Sequence, residues 1–190
     1  MTVLALQAFL DENSEKLTRG LWEDLQQDDV WYTKDPNVRP HITFGSWEVD
    51  EVTDKMGKKL EQACSQFGIF PLTLTPSLKP GMEAGLFLEP VMTRELIEFQ
   101  AAIHEKTGKF GEYFRDCDIP GQWEAHLTLG GGITEEQFPM VMNILRERTF
   151  PLEVVIQYMG LVTFGPITYH QVCELTTKQG LGQGQEAGLG

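Results

Sequence analysis

The chain is poor in cysteine, has no long apolar run and gathers no positive charge, and each shortage removes a class of protein. Its three cysteines, Cys64, Cys117 and Cys173, are odd in number and scattered without a CxxC spacing. That argues against a disulfide framework and for reduced thiols in a cytoplasmic setting. No stretch approaches the about 20 apolar residues that cross a bilayer. The apolar Met1–Leu10 segment lacks a basic flank and a small-residue cleavage site and runs into Asp11, Glu12 and Glu15, so it does not read as a signal peptide. The net charge of −13 divides as −5 over residues 1–80 and −8 over 81–190. Neither half is basic, which weighs against gripping duplex DNA through many Lys/Arg–phosphate contacts. A short ligand held in a local pocket by a monomer is the expectation. Also missing are HExxH, paired Cys/His spacings and GxSxG, which leaves zinc-protease and serine-hydrolase chemistry without a signature.

What is present is a repeat. Pro40-His41-Ile42-Thr43-Phe44-Gly45 returns as Ala125-His126-Leu127-Thr128-Leu129-Gly130, and both copies read His, apolar, Thr, apolar, Gly. Internal repeats of this clarity organise a fold. Strict alternation predicts half-buried strands, with His41 and Thr43 on one face and Ile42 and Phe44 in a core. The second copy predicts the same for His126 and Thr128 against Leu127 and Leu129.

The surrounding elements repeat as well. Val3–Leu10 alternates as a strand, and Leu17, Leu21 and Leu25 mark a helix. A polar loop leads to the first motif. Val52, Met56, Leu60, Ala63 and Phe67 stripe a second helix closed by Gly68, and Ile69–Thr75 is a strand ended by Pro76, Pro80 and Gly81. The order then restarts. Gly85–Glu89 is a strand, Thr93 caps a helix with Leu96, Ile97 and Ile103 inward, and a Gly-rich loop carries Tyr113, Phe114 and Arg115 to the second motif. Thr134-x-x-Gln137 is a capping box opening the last helix, and strands over 150–164 and 168–177 close the chain. The expectation is an α+β, bilobal duplicated fold: two antiparallel-sheet lobes with outer helices and a central groove. It forms a single domain over 1–178, with halves of about 1–80 and 81–178 and a disordered Gly-rich tail over 179–190.

Two imidazoles facing one groove suit a reaction that removes a proton on one side of a bond and delivers one on the other. Phosphodiester cleavage is such a reaction, and Thr43 and Thr128 supply hydroxyl donors to the phosphate oxygens. Gly45 and the Gly130-Gly131-Gly132 run offer close main-chain approach to a phosphate, although glycines of this kind more often belong to ordinary loops. A single strand histidine is ordinarily structural; a pair in repeated contexts is not. His104 and His170 have no such repeat and read as structural or surface groups. A metal site would need more than two histidines, with Asp116, Asp118 or Glu124 completing the set, and no spacing demands it.

The doubled pattern His41-Ile42-Thr43-Phe44 and His126-Leu127-Thr128-Leu129 resembles the two signatures of the 2H phosphoesterase superfamily, which includes the 2′-5′ RNA ligase (LigT-like) proteins and cyclic phosphodiesterases. The resemblance spans nearly the whole chain, including the duplicated element order. It implies a bilobal fold and metal-independent catalysis with no cofactor. His41 and His126 would share acid–base work, with Thr43 and Thr128 holding the phosphate. It also implies a substrate such as a 2′,3′-cyclic phosphate on a small nucleotide or RNA end, opened to a 2′-phosphate. Ligation or cleavage of 2′-5′ linkages, and non-catalytic binding of nucleotides or RNA ends, are the alternatives.

Base recognition needs an aromatic or guanidinium plane. Phe9 and Phe87, with Gln7, fall on the groove face if both lobes share one strand parity. Tyr158, Tyr169, the Tyr113-Phe114-Arg115 loop, and Arg39 two residues before His41 are further candidates.

Overall fold

A computed structural model describes residues 1–33, 35–79 and 85–176. The expected tail over 179–190 and the turn at Pro80 and Gly81 lie outside the described residues. The elements in order are β1 (Thr2–Leu10), α1 (Glu12–Gln26), β2 (His41–Val49), α2 (Asp54–Cys64), β3 (Phe70–Lys79), β4 (Gly85–Pro90), α3 (Arg94–Thr107), β5 (Glu112–Tyr113), β6 (Leu127–Gly131), α4 (Phe138–Arg146), β7 (Leu152–Thr163) and β8 (Thr168–Glu174). This is the expected α+β fold, with every strand pair antiparallel.

Each helix begins for a local reason. The Asp11 carboxylate accepts from the Ser14 N–H at 2.9 Å and opens α1. The Thr93 hydroxyl accepts from the Leu96 N–H at 3.1 Å and opens α3. The Gln137 side chain accepts from the Thr134 N–H at 3.0 Å in the 3₁₀ turn before α4. Leu21, Trp22 and Leu25 of α1 and Leu96, Phe99 and Ile103 of α3 are buried in one continuous core. Two expected core positions face solvent instead: Leu17 is 52% and Ile97 47% exposed. Ser14 and Thr18 occupy the inward turns of α1, with the Thr18 hydroxyl bonded back to the Ser14 carbonyl. The α2 helix stops at Cys64, before the Gly68 expected to close it.

One eight-stranded sheet runs β5-β2-β1-β7-β3-β4-β6, with β8 also on β7. Its order exchanges β3 of the first half and β7 of the second. The first motif strand, β2, pairs with β1, and β1 pairs with β7 from the end of the chain. The second motif strand, β6, pairs with β4, and β4 pairs with β3 from the first half. Leu152–Ile156 of β7 lie along β3, while Ile156–Thr163 continue along β1. A single strand therefore ties the surroundings of both motifs into one piece.

Both motif strands carry a bulge at the same place. In β2 the register passes from Leu6↔Gly45 to Gln7↔Thr43, and in β6 from Leu86↔Gly130 to Phe87↔Thr128. Phe44 and Leu129 are the extra residues. The carbonyl that the Phe44 bulge turns toward α3 accepts from Gln100 Nε2 at 3.0 Å and from His104 Nε2 at 2.5 Å. His104 is thus a buried structural group, as its lack of a repeated partner suggested.

The glycine after each bulge is required by packing. A Cβ on Gly45 would lie 2.7 Å from Trp47 Cη2 and 2.8 Å from His104 Cε1, and one on Gly130 would lie 2.5 Å from Val30 Cγ1. Both glycines are buried strand residues, so the motif's fifth position serves the core rather than a loop around phosphate. Gly45→Ala is expected to lower stability by about 1–3 kcal/mol in urea unfolding, because the buried rings it meets have nowhere to move. Gly131→Ala, with open space at its Cβ, is the matched control and is expected to unfold near the wild-type midpoint.

Candidate active site

The strand exchange brings the two motifs to one cleft of about 930 Å³, lined by His41, Thr43, His126 and Thr128. The two imidazoles are held alike. His41 Nδ1 lies 2.7 Å from the Arg39 carbonyl oxygen, and His126 Nδ1 lies 2.9 Å from that of Glu124. A carbonyl oxygen only accepts, so Nδ1 carries the hydrogen in each ring. The neutral form of each histidine then keeps its lone pair on Nε2.

The threonine segments are also held alike. The Trp123 indole N–H donates to the Thr43 carbonyl at 2.8 Å, and the Trp22 indole N–H donates to the Thr128 carbonyl at 3.1 Å. Each tryptophan belongs to the half opposite the threonine it holds. Neither threonine hydroxyl has a protein hydrogen-bond partner among the described residues, so both are available to a ligand.

The rings beside the two histidines differ. His126 packs edge-on against Phe87 with centroids 5.0 Å apart. His41 sits among Phe9 at 6.4 Å and Tyr32 at 6.0 Å, and the Tyr32 hydroxyl reaches toward His41 Nε2 at 3.5 Å. Burial pushes the His41 imidazole down to about 4; the Arg39 carbonyl opposes that shift and the nearby His126 adds to it. Burial likewise raises the Tyr32 phenol.

The structure divides the expected substrate-contacting residues. Phe87 lines the cleft. Phe9 is fully buried and packs behind His41, because the register aligns Gln7, not Phe9, with Thr43 as Phe87 aligns with Thr128. Arg39 turns away from the cleft, its guanidinium bonded to Glu15 at 2.8 and 3.0 Å and lying over the rings of Phe9 and Tyr158. The Tyr169 hydroxyl accepts from the Arg39 N–H at 3.2 Å and donates to the Asn37 carbonyl at 2.7 Å. Arg39, Tyr158 and Tyr169 therefore form a buttress behind the first motif and do not line the cleft.

Alternation along the strand concealed other cleft residues. The bulge at Phe44 reverses the parity of β2, so Ser46 faces the cleft and Trp47 enters the core. The Ser46 hydroxyl donates to Asp118, a buried carboxyl whose pKa burial raises while that hydrogen bond opposes the shift. Tyr32 and Lys79 carried no motif signal and reach the cleft from a loop and a strand end. Lys79 pairs with Glu89 at 3.1 Å, whereas Arg115 has no carboxylate within ion-pair reach among the described residues. Asp118 and Glu124 line the same cleft as the histidines and Asp116 does not, but no group of three His, Cys, Asp or Glu side chains gathers as a metal cluster among the described residues.

The sequence profile of the 2′-5′ RNA ligase superfamily matches residues 15–165. The chain belongs to that superfamily. Membership supports a phosphoesterase- or ligase-type enzyme, and solved structures share the fold. TT0787 of Thermus thermophilus aligns with a TM-score of 0.59 at 14% identity, covering 91% of this chain and 97% of that one. LigT of E. coli, solved with 3′-AMP, aligns at 0.54 and 16% identity, covering 92% and 98%. A structure described as a phosphoesterase aligns at 0.52 and 16% identity, covering 93% and 99%. No curated protein matches significantly. No helix among the described residues is long and apolar enough to cross a membrane.

The depressed His41 value has a consequence for stability. Unfolded, this imidazole titrates near its ordinary 6.5; folded, it titrates at about 4. Between those values the unfolded chain binds more protons, so stability present above pH 6.5 is lost as pH falls toward 4. Going from pH 7 to pH 5 is expected to reduce the unfolding free energy of the wild type by about 2 kcal/mol more than that of His41→Gln. Urea titrations at the two pH values measure this, and the contribution of Asp118, common to both proteins, cancels.

Proposed function

We propose that this protein is a metal-independent phosphodiesterase that opens 2′,3′-cyclic phosphates of nucleotides or RNA ends to 2′-phosphates, working as a monomer. The observation that carries the reading is the paired restraint on the histidines: both Nδ1 atoms are committed to main-chain carbonyls beside one cleft. Ring-opening by water needs a base for the water's proton and an acid for the departing ribose 3′ oxygen. Two imidazoles with available Nε2 atoms meet both needs. Thr43 and Thr128 donate to the non-bridging oxygens, whose charge grows as water attacks in line.

Burial supports one division of roles. With a value of about 4, His41 carries a proton in only about one molecule in 10³ at pH 7. It is therefore ready to act as base and poorly populated as acid. His126 then delivers the proton to the leaving oxygen. The phosphorus–oxygen bond to the 3′ oxygen breaks as the bond to water forms, and the phosphate remains on the 2′ oxygen. The E. coli LigT complex with 3′-AMP, a ribose phosphate in a protein of this fold, supports a ligand of that class. Ligation through a 2′-5′ bond is the reversal of related chemistry at the same groups, and the superfamily's name keeps it in view. The net charge of −13 favours small nucleotides over long RNA.

The test is a panel of 2′,3′-cyclic nucleotides, 2′-5′ oligoadenylates and ADP-ribose cyclic phosphate, each with and without chelator. Opening of a cyclic nucleotide, unaffected by chelator and reduced about 10²-fold or more in both His41→Ala and His126→Ala, is the expected result. Full activity of either variant removes the proposal, and loss of activity on chelation replaces it with metal chemistry. Saturable binding without turnover across the panel identifies a binder instead.

The role assignment has its own readout. Because kcat/KM reports groups of the free enzyme, its acidic limb is expected near pH 4, well below the ordinary histidine range. A limb centred at 6.5 contradicts His41 as the base.

A further inference from the structure

The cleft extends along the sheet beyond the groups that the reaction uses. Counting along β2 from Thr43 to Ser46 places this extension roughly 10 Å from the phosphate-binding threonine at ordinary strand rise. Its floor is small: Ala5 pairs with Ser46 on one side and with Val162 on the other. A phenyl ring lines each flank. Phe114 directly follows β5, with its N–H donating to the Ser46 carbonyl at 3.0 Å. Phe164 directly follows β7, on the far side of β1. Both rings line the cleft, and they are 45% and 46% exposed, whereas Phe9, behind the first motif, is completely buried. Beside them stands Arg115, a cleft-lining cation without a carboxylate partner among the described residues.

Phe114 and Phe164, exposed on either side of an alanine floor, bound a slot that offers a flat ring an aromatic partner. At its edge the Arg115 guanidinium lies 5.8 Å over the Phe114 ring and acts on the Asp118 carboxyl without pairing with it, which leaves its N–H groups a place for an anion. We propose that the Phe114–Phe164 slot receives the nucleobase of the substrate and that Arg115 holds a second phosphate, on the 5′ side of the same nucleotide. The inference rests on the cyclic-phosphodiesterase reading and narrows it: the preferred substrate has a base and a 5′-phosphate, which a mononucleotide 5′-phosphate and the end of an RNA chain both supply.

Three substrates separate the parts: 1-O-methylribose 2′,3′-cyclic phosphate, which has no base; adenosine 2′,3′-cyclic phosphate; and its 5′-phosphorylated form. A dinucleotide ending in adenosine 2′,3′-cyclic phosphate distinguishes an RNA end from a free nucleotide. Stacking on one ring is worth enough to change affinity by about 5- to 150-fold. Phe114→Ala and Phe164→Ala are each expected to reduce the preference for adenosine over the base-free sugar, as a ratio of kcat/KM, by about tenfold, mainly through KM. Arg115→Met is expected to reduce the preference for the 5′-phosphorylated nucleotide over the 5′-hydroxyl one by a similar factor. Unchanged ratios, with the wild type active, overturn the slot and leave the reaction standing.

Calorimetry with adenosine 2′-monophosphate and adenosine 5′-monophosphate tests the slot without turnover. If no cyclic phosphate is opened, weaker binding of either nucleotide to both phenylalanine variants supports the slot while the reaction fails. Binding equal to wild type in both variants overturns the slot as well.

Discussion

The chemistry of this cleft depends on one hydrogen bond made twice, from an imidazole Nδ1–H to the carbonyl of the residue two positions upstream. Each acceptor, at Arg39 and Glu124, lies just before its motif strand enters the ladder, where sheet pairing has not claimed it. The bond sets the tautomer, restrains the ring and leaves Nε2 available. Everything else in the site serves to bring those two nitrogens to one cleft. Exchange of β3 and β7 between the halves makes the two motif regions parts of a single sheet, and the crossed indoles of Trp22 and Trp123 tether each threonine segment to the opposite half. A hinge between independent lobes would not hold two proton-transfer groups at fixed separation; a shared strand and reciprocal tethers do.

The parts of this arrangement visible in the sequence were those with a repeat. Doubling exposed His41, Thr43, His126 and Thr128, because two copies of a five-residue pattern carry information that one copy does not. The element order followed from periodicity and caps, which are local. The bulges at Phe44 and Leu129 left no such mark: a bulge adds no residue type of its own, but it reverses the face of everything after it. Alternation carried past Phe44 would put Ser46 on the core side, and it gives no sign of the hydrogen bond by which Ser46 holds Asp118. Arg39 failed for a different reason. Its position beside the motif suggested phosphate, yet the Glu15 carboxylate, 24 positions upstream, captures its guanidinium and turns it to the back of the strand. Sequence proximity to a catalytic residue is not orientation toward the substrate.

Pseudo-symmetry also explains why the halves had to diverge. Two identical histidines in identical surroundings would titrate together, and the proposed reaction needs one neutral and one charged. The main-chain restraint is the same on both sides, so the difference must come from what surrounds each ring. Phe9 and Tyr32 pack against His41, and its burial disfavours the charged form. On the other side His126 has Phe87 at one edge and follows the exposed Glu124, whose carboxylate meets Lys79 at 3.9 Å. The replacement of Phe87 by Gln7 at the matching position of β1 belongs to the same divergence.

An acidic protein that binds an anion cannot rely on its overall field, which repels the ligand. At physiological salt, charges beyond about 8 Å are largely screened, so attraction must come from groups in contact. Two cleft cations are available, and they are not equivalent. Lys79 is already compensated by Glu89, so its charge contributes little at a distance. Arg115 makes no ion pair among the described residues, and its guanidinium can meet a phosphate with two parallel hydrogen bonds. On the proposed reading, affinity rests on short-range terms: hydroxyls for the reacting phosphate, a guanidinium for another, and exposed rings for the flat group between them. This division suits the small ligand proposed above, bound end-on.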